Sequence, residues 1–470
     1  MTLRKSLIAL LVGAALAPAA FAAAPATMPA DLPGFAPDRP LPVPEVARHT
    51  LENGLQVWVA PRDGVPRVDY VLVFKHAGLA ADDAQTPAFA SMLAGLLTEG
   101  TAERDSREIA ELAQGLGGSI GGFPGTDGLT INANALPSKA ADMAALLAEV
   151  ARSPSFPQAE IELAKANALQ GLKAAEAQPG FRAERAMLKA LYGDHPYART
   201  QATEAGIGAV DRDRLVAEHA RRLRPDNALL VITGRIGEDE ALALARKHFG
   251  DWQAQGEPPA ATSAARTGAA PTRVLLERDG SVQSTVRIGR PAIRATHPDS
   301  IPLDLAGTVL GGSFSSRLMQ NLREDKGYTY GARLGQRSLA AGGALVSSAD
   351  VRNEVTGAAV GEFFAEFDRL ANEPVPAQEL EMNKRYVAGS YLISNQLQRS
   401  VAGLLAGNWL LGLPPEYIGE YVPRIREVTA EQVQAMGRKY FQPAQQSIVV
   451  VGDKAVLEQL DQYGDFTVAE

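Results

Sequence analysis

A chain of 470 residues with 46% apolar content is long enough for two or three domains with substantial cores. Its formal charge of −8 argues against a non-specific nucleic-acid binder. The absence of cysteine excludes disulfides, thiolate metal sites and a cysteine nucleophile.

The chain opens on a basic pair, Arg4 and Lys5, an apolar run "SLIALLVGAALA" and a small-x-small site at Ala20, Phe21 and Ala22. That is the pattern of a secretory signal peptide, residues 1–22. The run is too short for a membrane anchor, and nothing later approaches the length of a spanning segment, so the expectation is a bacterial periplasmic protein with no membrane attachment after cleavage. Residues 23–45 are rich in Pro and Ala and read as an extended arm.

Residues 46–252 read as the first domain. The stretch "LQVWVAP" alternates as a strand with one covered face would. "PAFASMLAGLLTEGT", residues 87–101, reads as a buried helix stopped at Gly100. "DSREIAELAQGLG" predicts a helix capped by Asp105 or Ser106, with Ile109, Leu112, Ala113 and Leu116 in one stripe and Gly117 as its stop. The glycine run Gly115 to Gly122 is no phosphate loop, because a helix precedes it and the strand "GLTINANA" follows, the reverse of the required order. No two of the six histidines lie within five residues of one another, so none forms a local zinc pair. His195 reads as a solvated or capping residue and His219 as a helix-face residue.

Residues 253–271 lack apolar periodicity and read as a linker to a second domain, residues 272–470. The halves repeat one design. Val210 to Gly234 and Val428 to Gly452 each read helix, Pro, then a buried strand ending in Gly, at equal spacing. The expected class is α+β: two duplicated domains, each a largely antiparallel sheet with helices on one face, joined clam-shell fashion. In the second half, Ser313, Ser315 and Ser316 read as a helix N-cap cluster, "SSRLMQNLRE" as the helix, and "DKGYTYGARL" as a glycine turn and a strand with Tyr328 and Tyr330 on one face. Arg323, seven residues before Tyr330, could offer a guanidinium beside the phenol, donors suited to a peptide carbonyl or an oxyanion. The alternative is that Arg323 caps its own helix while Tyr330 packs.

The motifs "LENGLQVWV", "LAGLLTEGT", "GDHPYART", "DNALLVITG", "HFGDW" and above all "SFSSRLMQNLREDKGYTYG" together resemble the insulinase/pitrilysin zinc peptidases over about residues 46–460. In active members the helix ending in Gly-Thr carries His-x-x-Glu-His, with a distal Glu as third zinc ligand. Fitted by Gly100-Thr101, the resemblance puts Ser91, Ala94 and Gly95 at the motif positions and Gly171 at the distal one. It therefore implies that this chain holds no zinc and is not a peptidase by itself. Arg323 and Tyr330 match, in order and spacing, a pair with which family members hold the substrate's peptide group. The resemblance thus implies a non-catalytic subunit of a heterodimeric metallopeptidase acting on peptides. A partner subunit carrying His-x-x-Glu-His would supply the zinc. The alternative is a scaffold or peptide-binding protein without proteolytic role. The acidic balance of the chain points to basic peptides, although net charge says little about one cavity.

Overall fold

The structure is a computed structural model describing residues 43–268 and 270–469; the expected signal peptide and all but the end of the arm lie outside the described residues. The first half supplies β1 (Ala47–Thr50), β2 (Gln56–Pro61), β3 (Val68–Lys75), β4 (Ser119–Pro124), β5 (Gly128–Ala135) and β6 (Ala228–Gly234). They form one sheet in the order β1-β2-β6-β3-β5-β4, antiparallel except where β2 runs beside β6. The second half supplies β7 (Arg273–Glu277), β8 (Gln283–Ala292), β9 (Thr329–Ser338), β10 (Gly343–Arg352), β11 (Ser447–Gly452) and β12 (Thr467–Ala469), in the order β12-β7-β11-β8-β10-β9. β2 to β6 and β7 to β11 have the same connectivity. The strand that ends each sequence repeat, β6 or β11, is buried along its whole length in the middle of its sheet.

Each half's own helices cover one face of its sheet. In the first half Leu93, Met143, Leu147 and Phe249 pack on Tyr70, Leu72, Leu230 and Ile232. The other face is covered by the opposite half, which the sequence analysis does not anticipate. Val401, Leu405 and Trp409 of the helix Gln398–Leu410 pack on Trp58, Val71, Val73, Leu229 and Val231. Reciprocally, Met187, Leu188 and Leu191 of the helix Pro179–Tyr192 pack on Val449, Val451 and Ala344. Two covered faces explain why β6 and β11 are largely apolar and buried throughout and β3 is buried along nearly its whole length, while the edge strand β1 alternates. Each large side chain in these layers contributes about 1.5–3 kcal/mol of burial. Residues 253–268 carry no helix or strand, yet the Ala265 N–H donates to the Ala341 carbonyl at 2.8 Å.

The glycine run does end a helix: Asp105 and Glu108 form the capping box of Ser106–Gly115, and Gly117 follows with φ +75°. It then starts a strand, β4, before the expected one. A Cβ on Gly118 would stand 1.6 Å from the Asn134 carbonyl oxygen, and one on Gly122 would stand 2.3 Å from that of Ala94. Glycine lets β4 lie between β5 and the helix Phe89–Leu96.

Candidate functional site

The helix Phe89–Leu96 is held in place by charge at its start. Asp82 accepts from the Ala90 N–H (3.1 Å) and pairs with Arg222 (2.7 Å), both side chains being 1% exposed. Arg222 also pairs with Glu218 (2.6 Å), so the buried guanidinium faces two carboxylates. On this firmly placed helix the motif positions carry no ligand set. Ser91 is exposed, Ala94 is buried beneath Gly122, and Gly95 has open space where a side chain would begin. Gly171 lies on the helix Gln158–Glu176, exposed, likewise with open space around its Cα. The nearest carboxyl in sequence, Glu99, lies past the end of the helix, and burial, then the neighbouring Glu160, push its pKa up. Among the described residues no three His, Asp or Glu side chains are gathered where they could hold a metal ion. A zinc ion needs three protein ligands or more, and these residues do not fit it.

The two histidines singled out in the sequence have structural places. The His219 ring lies edge-on to Phe156, its Nε2 donates to the Ala151 carbonyl (2.9 Å), and burial lowers its pKa. His195 caps a short turn, its Nδ1 accepting from the Tyr197 N–H (3.2 Å), and its Nε2 donates to the Ser263 carbonyl (2.8 Å).

Arg323 and Tyr330 do meet, in a geometry that sequence spacing could not specify. Residues Met319–Asp325 form a π-helical segment rather than an α-helix, closed by the Lys326 N–H to the Asn321 carbonyl at 3.0 Å. The expected serine caps are not made: Ser316 Oγ is buried without a partner, and Arg317 opens the helix with a bidentate pair to Glu379 (2.8 and 2.9 Å). A β-bulge at the start of β9 sets Tyr330 and Gly331 against Asp350 alone, between the pairs Ala332–Ala349 and Thr329–Val351. The Thr329 hydroxyl fills the gap in the ladder, donating to the Asp350 carbonyl (2.7 Å) and accepting from the Gly331 N–H (3.1 Å). Both backbone irregularities are of kinds that recur beside functional sites.

The Arg323 guanidinium carbon lies 4.8 Å from the Tyr330 ring centroid and 4.7 Å from that of Phe314. The guanidinium is thus held by two aromatic rings, a role for Phe314 that the sequence analysis missed. Its Nε faces Glu324 at 3.2 Å. Tyr330 is 87% exposed, and among the described residues nothing hydrogen-bonds its hydroxyl. Tyr328, expected on the same face, packs against the core of the second half. Beyond Tyr330 opens a cleft of about 740 Å³ lined by Thr285, Arg287, Arg333, Ser348, Asp350 and Arg352 among others. A half-buried, stacked guanidinium and an exposed phenol at the rim of a cleft can present N–H and O–H groups to a carbonyl oxygen without first losing side-chain freedom.

Comparison with known proteins finds one family along both halves. Residues 62–204 match the family described as Insulinase (Peptidase family M16), and residues 209–387 match the description Peptidase M16 inactive domain. The chain is 27% identical over 415 residues to the uncharacterized zinc protease ML0855 of Mycobacterium leprae, covering 84% of this chain and 89% of that protein. It is 24% identical over 371 residues to the non-peptidase homolog YmxG of Helicobacter pylori, covering 77% of this chain and 83% of that one. The crystal structure of a peptidase M16 inactive domain from Pseudomonas fluorescens superposes with a TM-score of 0.81 at 26% identity, covering 87% of this chain and 98% of that one. With matches along both halves and the same fold, the chain belongs to the insulinase (M16) family as an inactive member.

Proposed function

We propose that this chain is the non-catalytic, required subunit of a heterodimeric periplasmic zinc metallopeptidase that degrades peptides. A second family member carrying His-x-x-Glu-His would supply the zinc, and this chain would supply Arg323 and Tyr330. The observation that carries the reading is a contrast within one molecule. The motif positions of the first half carry no set of zinc ligands, whereas the second half keeps a stacked Arg-Tyr pair, its guanidinium half-buried and its phenol exposed, set on two backbone irregularities at the rim of a cleft.

In this role Arg323 and Tyr330 donate hydrogen bonds to the carbonyl oxygen of the peptide bond under attack. Charge builds on that oxygen as water adds to the carbonyl carbon, so donors already aimed at it lower the barrier more than they strengthen ground-state binding. Phe314 and Tyr330 keep the guanidinium from wandering, and the bulge turns the phenol outward. The test is purification of the chain with its partner from periplasm, followed by peptide hydrolysis by each chain alone and by the pair. Activity that needs both chains, and that collapses in the Arg323→Ala complex while assembly persists, is the expected result. Full turnover by that variant complex would leave the chain as a scaffold.

A further inference from the structure

The cleft beside Tyr330 has a charge that the whole chain does not. On its floor the register pairs Ser348 of β10 with Arg287 of β8 on one side and with Arg333 of β9 on the other. Arg287, Ser348 and Arg333 therefore form one row across three adjacent strands, and all three line the cleft. Among the described residues neither arginine has a carboxylate within ion-pair distance, and the Arg287 Nε is buried without a partner. The one acid in the lining, Asp350, sits a row away and accepts from the Thr285 hydroxyl at 2.6 Å. A third arginine, Arg352, lines the cleft beyond it. Arg287 also lies against the first turn of the helix Pro179–Tyr192, where its Nη2 is 3.8 Å from the place of a Cβ on Gly180, so the helix end adds to the positive field.

Two unpaired guanidiniums in one cross-strand row repel each other. Their backbones stand about 10 Å apart, two strand spacings, and each side chain is long enough to reach the middle. An anion placed over Ser348 would turn that repulsion into two forked Arg–carboxylate interactions, with the hydroxyl as a further donor.

We infer that the Arg287–Ser348–Arg333 row is a carboxylate subsite that selects peptides bearing an acidic group about three residues from the bond held by Arg323 and Tyr330. The spacing follows from β9: three residues separate Tyr330 from Arg333, about 10 Å along an extended strand. The inference rests on the peptide-holding role proposed above. It also reverses the expectation of basic substrates drawn from the net charge. The carboxylate belongs either to an Asp or Glu side chain or to the peptide's own C-terminus.

The test uses the full mature chain and fluorescence anisotropy with labelled ten-residue peptides, so it needs neither partner nor catalysis. One peptide carries Asp or Glu, a second replaces it by Asn or Gln, and each is made with a free or an amidated C-terminus. The acidic peptide is expected to bind at least ten-fold more tightly than its neutral twin, with the preference shrinking as salt rises. The double variant Arg287→Gln/Arg333→Gln is expected to abolish the preference. Arg333→Gln alone, at an exposed position on the sheet edge, is expected to fold normally and to lose at least three-fold of the preference. Loss on amidation assigns the C-terminus, and loss on Asp→Asn in the peptide assigns the side chain. Equal binding of acidic and neutral peptides, or a preference that survives in the double variant, overturns this inference and leaves the peptidase-subunit reading standing. Failure of every peptide to bind overturns this inference, and the peptidase-subunit reading falls with it only if the complex also fails to hydrolyse peptides.

Discussion

The phenol of Tyr197 donates to Oδ1 of Asp127 at 2.5 Å, and together the two residues grip a turn of the opposite half. Oδ2 of Asp127 accepts from the Ala340 N–H (2.9 Å), and the Tyr197 oxygen accepts from the Ala341 N–H (3.0 Å). Tyr197 belongs to "GDHPYART", a stretch whose sequence pattern marked it as family-like without saying why. Its place in the fold is to join the halves at the β9–β10 turn. Burial, then Asp127, push the phenol's pKa above its ordinary value, so the proton stays on the tyrosine.

Tyr197→Phe removes one donor and leaves Asp127 and the Ala341 N–H each short of a partner. Such a loss costs about 1–3 kcal/mol when the groups are buried. Because the halves also exchange helices, one cooperative transition with a lowered midpoint is expected in urea. Two separated transitions would show that the halves unfold independently.

Tyr330→Phe keeps the ring over Arg323 and deletes only the hydroxyl. On the proposed role, kcat of the complex falls about 10²–10³-fold, the loss seen when one oxyanion donor is removed, with little change in KM. Stability of this exposed position changes by less than about 0.5 kcal/mol. A comparable kcat loss is expected for Arg323→Ala, with assembly intact by size-exclusion chromatography. Phe314→Ala, which frees one side of the guanidinium, is expected to fall between these and wild type.

Gly95→Ala and Gly171→Ala fill helix positions where a Cβ meets nothing within 4 Å. Each is expected to raise stability by about 0.5–1 kcal/mol, the helix penalty of glycine, while activity of the complex is unchanged. A loss of activity would show that these vacated motif positions still serve the reaction.

Asp304 sits on the helix Ser300–Gly307, the counterpart of the vacant helix, and accepts from Gln336 (2.6 Å) and Tyr421 (3.3 Å) without a cation. Burial outweighs both hydrogen bonds and raises its pKa from 3.8 to about 6. The folded state therefore holds this proton more tightly than the unfolded state. The stabilising contribution is full below about pH 4 and is lost as pH rises through about 6. Relative to wild type, Asp304→Asn should gain about 2 kcal/mol in stability between pH 4 and pH 7.5, measured by chemical denaturation. A difference that does not move with pH would place the charge cost elsewhere.

Much of the architecture was legible before any coordinates. The paired repeats at Val210–Gly234 and Val428–Gly452 announce two equivalent sheets because a buried central strand must be apolar throughout and must end where the chain can turn. The capping box at Asp105 and the stop at Gly117 are local chemistry, readable within a few residues. β4 was missed because its glycines carry no apolar signal. They are there for close approach to Asn134 and Ala94, neighbours that only the fold supplies. The serine caps failed because the fold buries the Ser316 hydroxyl away from any partner, which the serine spacing does not reveal.

What the sequence alone determined is chemical content. Ser91 offers zinc only a poor hydroxyl ligand, Ala94, Gly95 and Gly171 offer no side-chain donor, and no arrangement of the chain can add one at those positions. What only the tertiary structure decided is adjacency: which helix covers which sheet, which rings hold Arg323, and which arginines share a row with Ser348. Those relations join residues far apart along the chain, and strand register and packing, which set them, leave no mark in local periodicity.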